Sequence, residues 1–253
     1  MLIIRREQFA ALGDAMFGEF ERAMIVHIRT WFPAHYRVLQ DDGARAMVRN
    51  AHAKATLYGM GTKRAVALYL NATLVLGAHF DTDPMYAWAA EILPDTQRHP
   101  KVRIDKVTDE MLKTFEAFAG ARRIHLNRAL VRFRQREAAL LRELNERSLR
   151  DFSRVAMEWY PHKHATVGED ALGKIALHAS HKAASYGLRR EPDVLLYALL
   201  MFLLGAGYDS DPQYSALRQV LLDTSLVDSR LKANALYRAA NAYLEQFLDG
   251  VKD

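Results

Sequence analysis

Two short acidic turns are the residues of this chain with the clearest capacity for chemistry. Asp81 and Asp83 stand one residue apart, and the same spacing recurs at Asp209 and Asp211. Two carboxylates so placed are able to share a divalent cation, as in many glycosyltransferases that hold a metal-bound nucleotide. A proline follows each pair, however, and an aspartate before a proline is a typical helix start. We therefore predict that Asp83 and Asp211 cap helices, with metal binding as the alternative.

Four histidines in the second half of the chain form another candidate metal set: His162, His164, His178 and His181. On a helix, His178 and His181 would share one face at a separation that suits a metal ion. The set lacks the glutamate that stands between the ligands in a His-Glu-x-x-His motif. We interpret these histidines as surface or interface residues, with metal binding again the alternative. We predict no metal and no cofactor.

No other pattern resembles a catalytic constellation. The chain has no cysteine, no glycine-rich phosphate loop and no Gly-x-Ser-x-Gly elbow. Asp41 and Asp42 lack the later aspartate of the isoprenoid-binding pattern. We therefore predict that the protein is not an enzyme and assign no catalytic residue.

A concentration of arginines near the middle of the chain is the strongest electrostatic feature. The formal net charge is +5, and no carboxylate interrupts this basic junction, residues 122–136, before Glu137. We predict that it binds another protein. The alternatives are a solvated helix face that pairs with nearby glutamates, and a nucleic-acid contact in which Phe133 stacks on a base. The predicted binding residues are Arg122, Arg123, Arg128, Arg132, Arg134 and Arg136.

The sequence repeats itself at a fixed displacement. Tyr58 matches Tyr186 (186 − 58 = 128), and Asp81 matches Asp209 (209 − 81 = 128). A period this long exceeds that of solenoid units, so we expect each copy to be a complete helical domain. The predicted domains are residues 1–121 and 129–250, with the basic junction running into the first helix of the second.

Helices are the elements expected to position these residues, because glycine and proline are sparse and stand at apparent helix ends. We predict an all-α fold of about five helices per copy, with the copies related by a pseudo-two-fold axis. The third helix of each copy is apolar on nearly every face and should lie in the core. The predicted helices are about 7–31, 43–58, 63–78, 84–93 and 107–119, then 134–159, 169–186, 192–206, 212–221 and 228–248.

The chain start and its apolar runs bear on location. The first seven residues carry charges where a signal peptide needs an apolar stretch, and the longest apolar run, 194–206, is shorter than the roughly 18 residues of a membrane span. We expect a cytoplasmic protein that does not bind membranes.

Several motifs of the first copy together resemble a group of bacterial helical proteins of uncharacterised activity. The resemblance covers roughly residues 3–95, and the second copy follows the pattern more loosely. Genes for such proteins often stand beside type VI secretion spike and PAAR-type genes. The motifs are Ile3-Ile4-Arg5-Arg6-Glu7-Gln8-Phe9, Trp31-Phe32-Pro33, Tyr58-Gly59, Phe80-Asp81-x-Asp83-Pro84 and Trp88-Ala89.

The resemblance implies an accessory to a secreted toxin, acting as adaptor, chaperone or immunity protein, and it assigns no residue a role. We expect a non-enzymatic protein whose partner is a secretion effector or spike component. The alternatives are a nucleic-acid-binding protein that uses the basic junction, and a metal-dependent hydrolase or secreted toxin.

Overall fold

The computed structural model describes residues 6–135 and 146–248. Within these ranges the chain forms twelve α-helices joined by short turns and contains no β-strand, so the predicted all-α class is confirmed. The first repeat contains α1 (Arg6–Trp31), α2 (Pro33–Leu57), α3 (Lys63–Leu76), α4 (Ala87–Ile92) and α5 (Pro100–Ala119). The rest contains α6 (Ile124–Gln135), α7 (Phe152–Trp159), α8 (Pro161–Val167), α9 (Glu169–Ser185), α10 (Glu191–Leu204), α11 (Ser215–Leu222) and α12 (Ser229–Leu248).

Proline begins several of these helices, since it lacks the amide that a first helical residue leaves unpaired. Pro33 begins α2 and Pro161 begins α8. Pro100 begins α5, which starts seven residues before the predicted 107 (107 − 100). The ring of His99 accepts a hydrogen bond from the amide of Lys101 at 3.2 Å and caps that start. The prediction placed this helix too late because a histidine cap has no strong sequence signal.

The predicted continuous helix over 134–159 is wrong. Residues 149–151 form a 3-10 turn, and α7 begins at Phe152. The cause is a capping box at Ser148, because the Asp151 carboxylate accepts a hydrogen bond from the Ser148 amide at 3.0 Å. A capping box satisfies the free amides at the start of a new helix, so one continuous helix does not run through Ser148.

The second helix of each repeat is interrupted at matching positions (40 + 128 = 168). Gln40 has φ 51° and ψ −169° inside α2, and Gly168 has φ 79° and ψ 162° between α8 and α9. Both lie in a region that favours glycine, so the kink at Gln40 carries backbone strain. The helical segment also starts earlier than the predicted 43, at Pro33. The breaks before Phe152 and at Gly168 divide the second repeat into more helices than the predicted five.

The core is built around α3 and α10, as predicted. Nearly all of α10 is buried, including Leu195 to Met201. Buried side chains of both repeats belong to one hydrophobic cluster. Because burial of a large apolar side chain contributes about 1.5–3 kcal/mol, this shared core is a main source of stability. The division into two domains and the pseudo-two-fold axis stay predictions.

The longest apolar run of the sequence lies in α10, which has 14 residues and is enclosed by protein. Across the described ranges, no helix is both long enough and apolar enough to pass through a lipid bilayer.

Candidate functional site

The second aspartate of each acidic turn caps a helix, as predicted. One oxygen of Asp83 accepts from the amide of Met85 at 2.9 Å, ahead of the 3-10 turn 84–86. Asp211 accepts from the amide of Gln213 at the same distance, ahead of the turn 212–214. Both aspartates are almost fully buried. Their first function is therefore to satisfy helix-start amides.

The other oxygen of each aspartate reaches the opposite repeat, which the sequence did not predict. Asp83 accepts from the amide of Ala206 at 2.7 Å, and Asp211 accepts from the amide of Ala78 at 2.6 Å. Burial raises the pKa of Asp211 to about 6, against the opposing effect of these amide donors. At neutral pH the carboxylate is ionised and accepts on both oxygens. The two turns thus exchange hydrogen bonds across the repeats.

Two glycines make this exchange sterically feasible. Gly77 and Gly205 end α3 and α10 with φ of 104° and 111°. A Cβ atom on Gly77 would lie 3.3 Å from the carbonyl oxygen of Leu204, and one on Gly205 would lie 3.3 Å from that of Leu76. Only glycine combines this backbone conformation with so close an approach.

The first aspartate of each turn is bound by a lysine from its own repeat. Lys54 donates to Asp81 at 2.7 Å, and Lys182 donates to Asp209 at 2.7 Å. The carboxylates are buried, whereas the lysines are partly exposed. Each lysine therefore neutralises the charge of a buried carboxylate.

Tyrosine hydroxyls complete these two sites. Tyr58 donates to Asp81 at 3.2 Å, and Tyr186 and Tyr197 donate to Asp209 at 2.7 and 3.0 Å. Burial tends to raise the pKa of Asp209, and the hydrogen bonds from Lys182 and Tyr186 outweigh it, so the pKa lies below its usual value. These three tyrosines are packing residues whose polar tip is hydrogen-bonded.

The four candidate histidines lie on two helices, His162 and His164 on α8 and His178 and His181 on α9. His164 contacts Ser153 at 2.9 Å and Glu169 at 3.2 Å. The other three are exposed. In the described part of the chain, no group of three or more histidine, cysteine, aspartate or glutamate side chains is arranged to hold a metal ion.

The predicted arginines occupy a turn and the exposed side of α6. Arg122 and Arg123 lie in a 3-10 turn with φ of 52° and 60°, and their side chains are exposed. Arg136 lies outside the described residues. We call the other five the arginine face: Arg122, Arg123, Arg128, Arg132 and Arg134, all exposed.

The opposite side of α6 packs into the core. Phe133 is 2% exposed and lies against Trp159 and Tyr237, with ring centroids 5.6 and 4.9 Å away. The hypothesis that Phe133 stacks on a base is therefore wrong, because its ring is enclosed. Alternation of arginine with apolar residues reflects an amphipathic helix.

The arginine face has no carboxylate bonded to it among the described residues. None of its guanidinium groups forms an ion pair with a carboxylate of residues 6–135 or 146–248. Arg132 instead donates to the carbonyl oxygens of Glu158 and Trp159 at 3.3 and 3.4 Å. These carbonyls end α7, where a cation is favourable. Arg132 thus also has a structural contact, whereas the guanidinium groups of Arg128 and Arg134 form no hydrogen bond or ion pair with residues 6–135 or 146–248.

A small pocket opens between the arginine face and the start of α8. Its volume is about 60 Å³. The rings of His125 and His162 are stacked there with centroids 3.4 Å apart. Burial, His162 and Arg128 all lower the pKa of His125. Sequence reasoning missed His125, because only the fold brings α6 beside α8. The pocket is lined by His125, Arg128, Arg132, Trp159, Tyr160, Pro161 and His162.

A larger cleft of about 310 Å³ lies where α3 and α5 begin. Its basic side chains, Arg64 and Lys101, both pair with Asp105, at 2.6 and 3.0 Å. One carboxylate therefore offsets part of the positive charge of this cleft. It is lined by Gly59, Met60, Thr62, Arg64, Ala65, His99, Pro100, Lys101 and Ile104.

Comparisons with protein-family models, with curated proteins and with solved structures find no match for this chain.

Proposed function

We propose that this protein is a non-enzymatic, cytoplasmic accessory that binds another protein through the arginine face. The observation that carries this proposal is the exposed set of guanidinium groups on α6, which have no carboxylate partner among the described residues. Arg128 and Arg132 are four residues apart on one helix, and like charges at that spacing repel by about 0.2–0.5 kcal/mol. An acidic partner would turn that repulsion into attraction.

Arginine suits such an interface because its planar group forms paired hydrogen bonds with carboxylates and is enriched among residues that dominate binding energy. Arg122 and Arg123 extend the surface beyond α6, on a turn whose left-handed backbone costs about 1–3 kcal/mol at each position. Strained backbone of this kind is common where side chains are displayed for contact. The surface thus carries positive charge over both the turn and α6, as a contact for an acidic protein would.

The nature of the partner is inferred from the motif resemblance. That resemblance favours a type VI secretion effector or spike component and a role as adaptor, chaperone or immunity protein. The hydrolase alternative has less support, because Asp81 and Asp209 are held by lysines and Asp83 and Asp211 by backbone amides. Carboxylates committed in this way are poor first ligands for a metal.

Nucleic acid is the second candidate, since a row of exposed arginines also attracts phosphate. The packing of α6 weighs against it, because Phe133, the candidate ring for base stacking, is buried. A salt titration separates the two, since contacts to several phosphates make affinity fall steeply with salt.

The test is co-expression with the products of neighbouring genes, followed by size-exclusion chromatography. We expect one product to co-elute with the wild type and to be lost from Arg128→Glu/Arg134→Glu. Arg132 is left unchanged because it also contacts the end of α7. Arg218→Glu is the control, a charge reversal at an exposed arginine on α11, outside the arginine face.

Failure of every neighbouring product to co-elute would contradict the proposal. Equal loss in the double variant and in the Arg218→Glu control would also contradict it, since binding would then not depend on the arginine face.

A further inference from the structure

We propose that the pocket between α6 and α8 receives a carboxylate from an acidic segment of the partner protein. This inference rests on the proposed function and identifies the point of contact. The groups that would meet the carboxylate are Arg128, Arg132, His125 and His162.

The pocket concentrates basic groups without a counter-charge. Its lining contains two arginines and two histidines and no carboxylate. The ring of His162 is stacked on that of His125 with centroids 3.4 Å apart and opposes protonation of His125, because two cations so close would repel. A bound anion would relieve that repulsion and would meet charged donors on several sides.

Size and wall chemistry favour a carboxylate. A water molecule needs roughly 10–15 Å³ of such space, so about 60 Å³ holds a carboxylate but not the sugar and base of a nucleotide. Trp159 and Tyr160 are nearly buried and form the apolar floor, so they offer no open ring to a base. An aspartate or glutamate side chain, or a chain terminus, fits this combination.

The test uses the full chain and a fluorescein-labelled hexaglutamate peptide as probe. Fluorescence anisotropy at low salt compares it with hexaglutamine and with a single-stranded oligonucleotide of equal charge. We expect hexaglutamate to bind, hexaglutamine not to bind, and Arg128→Ala to weaken binding at least about ten-fold. Arg128→Lys should recover only part of that loss, because lysine lacks the paired donors. Arg218→Ala should retain wild-type affinity.

Histidine side-chain NMR locates the probe. Hexaglutamate should shift the imidazole signals of His125 and His162, while those of exposed His181 stay in place. The inference is overturned if hexaglutamate does not bind, if it shifts His181 equally, if Arg128→Ala and Arg218→Ala lose equal affinity, or if the oligonucleotide binds more tightly. A partner that still co-elutes with Arg128→Ala would overturn the pocket alone and leave the proposed function standing.

Discussion

The buried carboxylate of Asp211 shows how one residue links the two repeats. Its oxygens face the backbone amides of Gln213 and Ala78, at 2.9 and 2.6 Å. An asparagine side chain at position 211 has one oxygen and one NH₂ group. In either orientation its NH₂ group would face one of these backbone N–H groups, which would then lose its acceptor. Asp83 stands in the same situation with Met85 and Ala206.

We therefore expect Asp211→Asn to lower the free energy of unfolding by about 1–3 kcal/mol, because a buried donor loses its acceptor. Urea denaturation at pH 7.5 measures the change. The control is Asp170→Asn, which alters only an exposed pair with Lys174 and should change stability by less than about 1 kcal/mol. Unchanged or higher stability of Asp211→Asn would show that relief from burying the charge outweighs the lost acceptor.

Lys163 is another buried charged side chain, and its burial should make the stability of the protein depend on pH. It is 3% exposed, lies 5.1 and 5.5 Å from the rings of Phe118 and Phe202, and donates to the carbonyl oxygen of Leu203. Burial lowers the pKa of Lys163 to about 8, and nearby Asp83 only partly opposes this. The unfolded chain, with a lysine pKa of about 10.4, therefore binds more protons between these values.

By linkage, the free energy of unfolding should rise with pH from about 8 to about 10.4, by on the order of 3 kcal/mol from this residue. Lys163→Met should lack that rise, so the wild type should gain stability relative to the variant over this window. Thermal and urea unfolding at pH 7.5 and pH 10 measure it. The exposed Lys174→Met serves as control. A constant difference between wild type and Lys163→Met would refute the assignment.

At the scale of elements, the ends of α3 and α10 determine how closely the repeats approach. Gly77 and Gly205 lie in a backbone region almost restricted to glycine, and each faces a carbonyl oxygen of the other repeat. Gly187 also has a positive φ, of 81°, but no atom lies near its Cβ position, and Gly173 sits in open space within α9.

This contrast gives a graded prediction for alanine substitution. Gly205→Ala should lower stability more than Gly187→Ala. In both variants the strained backbone costs about 1–3 kcal/mol, but only Gly205→Ala also displaces the carbonyl group of Leu76. Gly173→Ala should gain about 0.5–1 kcal/mol. Melting temperatures of the three variants test the order. Equal losses for Gly205→Ala and Gly187→Ala would mean that the close approach has no energetic role.

Helix type and many helix ends could be predicted from the sequence, because local signals determine them. The aspartate and proline at 83–84 and 211–212 encode a cap, and the structure confirms it. Ser148 and Asp151 also form a recognisable capping box, so the break before α7 could have been found. The exchange between Asp83 and Ala206 could not, since nothing local records which amide of another helix will lie nearby.

At the scale of the whole molecule, the duplication could be predicted from the sequence, whereas the formation of the pocket could not. The displacement of 128 residues also relates Lys54 to Lys182 (54 + 128 = 182), and their matching bonds to Asp81 and Asp209 were found only in the structure. Exposure of the arginines followed from the amphipathic pattern of α6. The pocket around His125 did not, because it depends on the packing of α6 beside α8.

Tandem repeats with one hydrophobic cluster leave the outside of the molecule free to diverge. Within the arginine face, Arg134 matches Arg6 (134 − 128 = 6), whereas Arg132 matches Ile4 (132 − 128 = 4). The aspartates, tyrosines and glycines that hold the turns recur in both copies, whereas the charge at position 132 is particular to the second copy.

The most direct test of the central claim is quantitative affinity purification from the native host with mass spectrometry. Wild type, Arg128→Glu/Arg134→Glu and Arg218→Glu are compared as tagged full chains at equal expression. We predict a protein partner that is enriched with the wild type and the Arg218→Glu control and lost by at least about ten-fold from the double variant. Recovery of the same partner at equal yield from all three chains, or of none from any, would contradict the account.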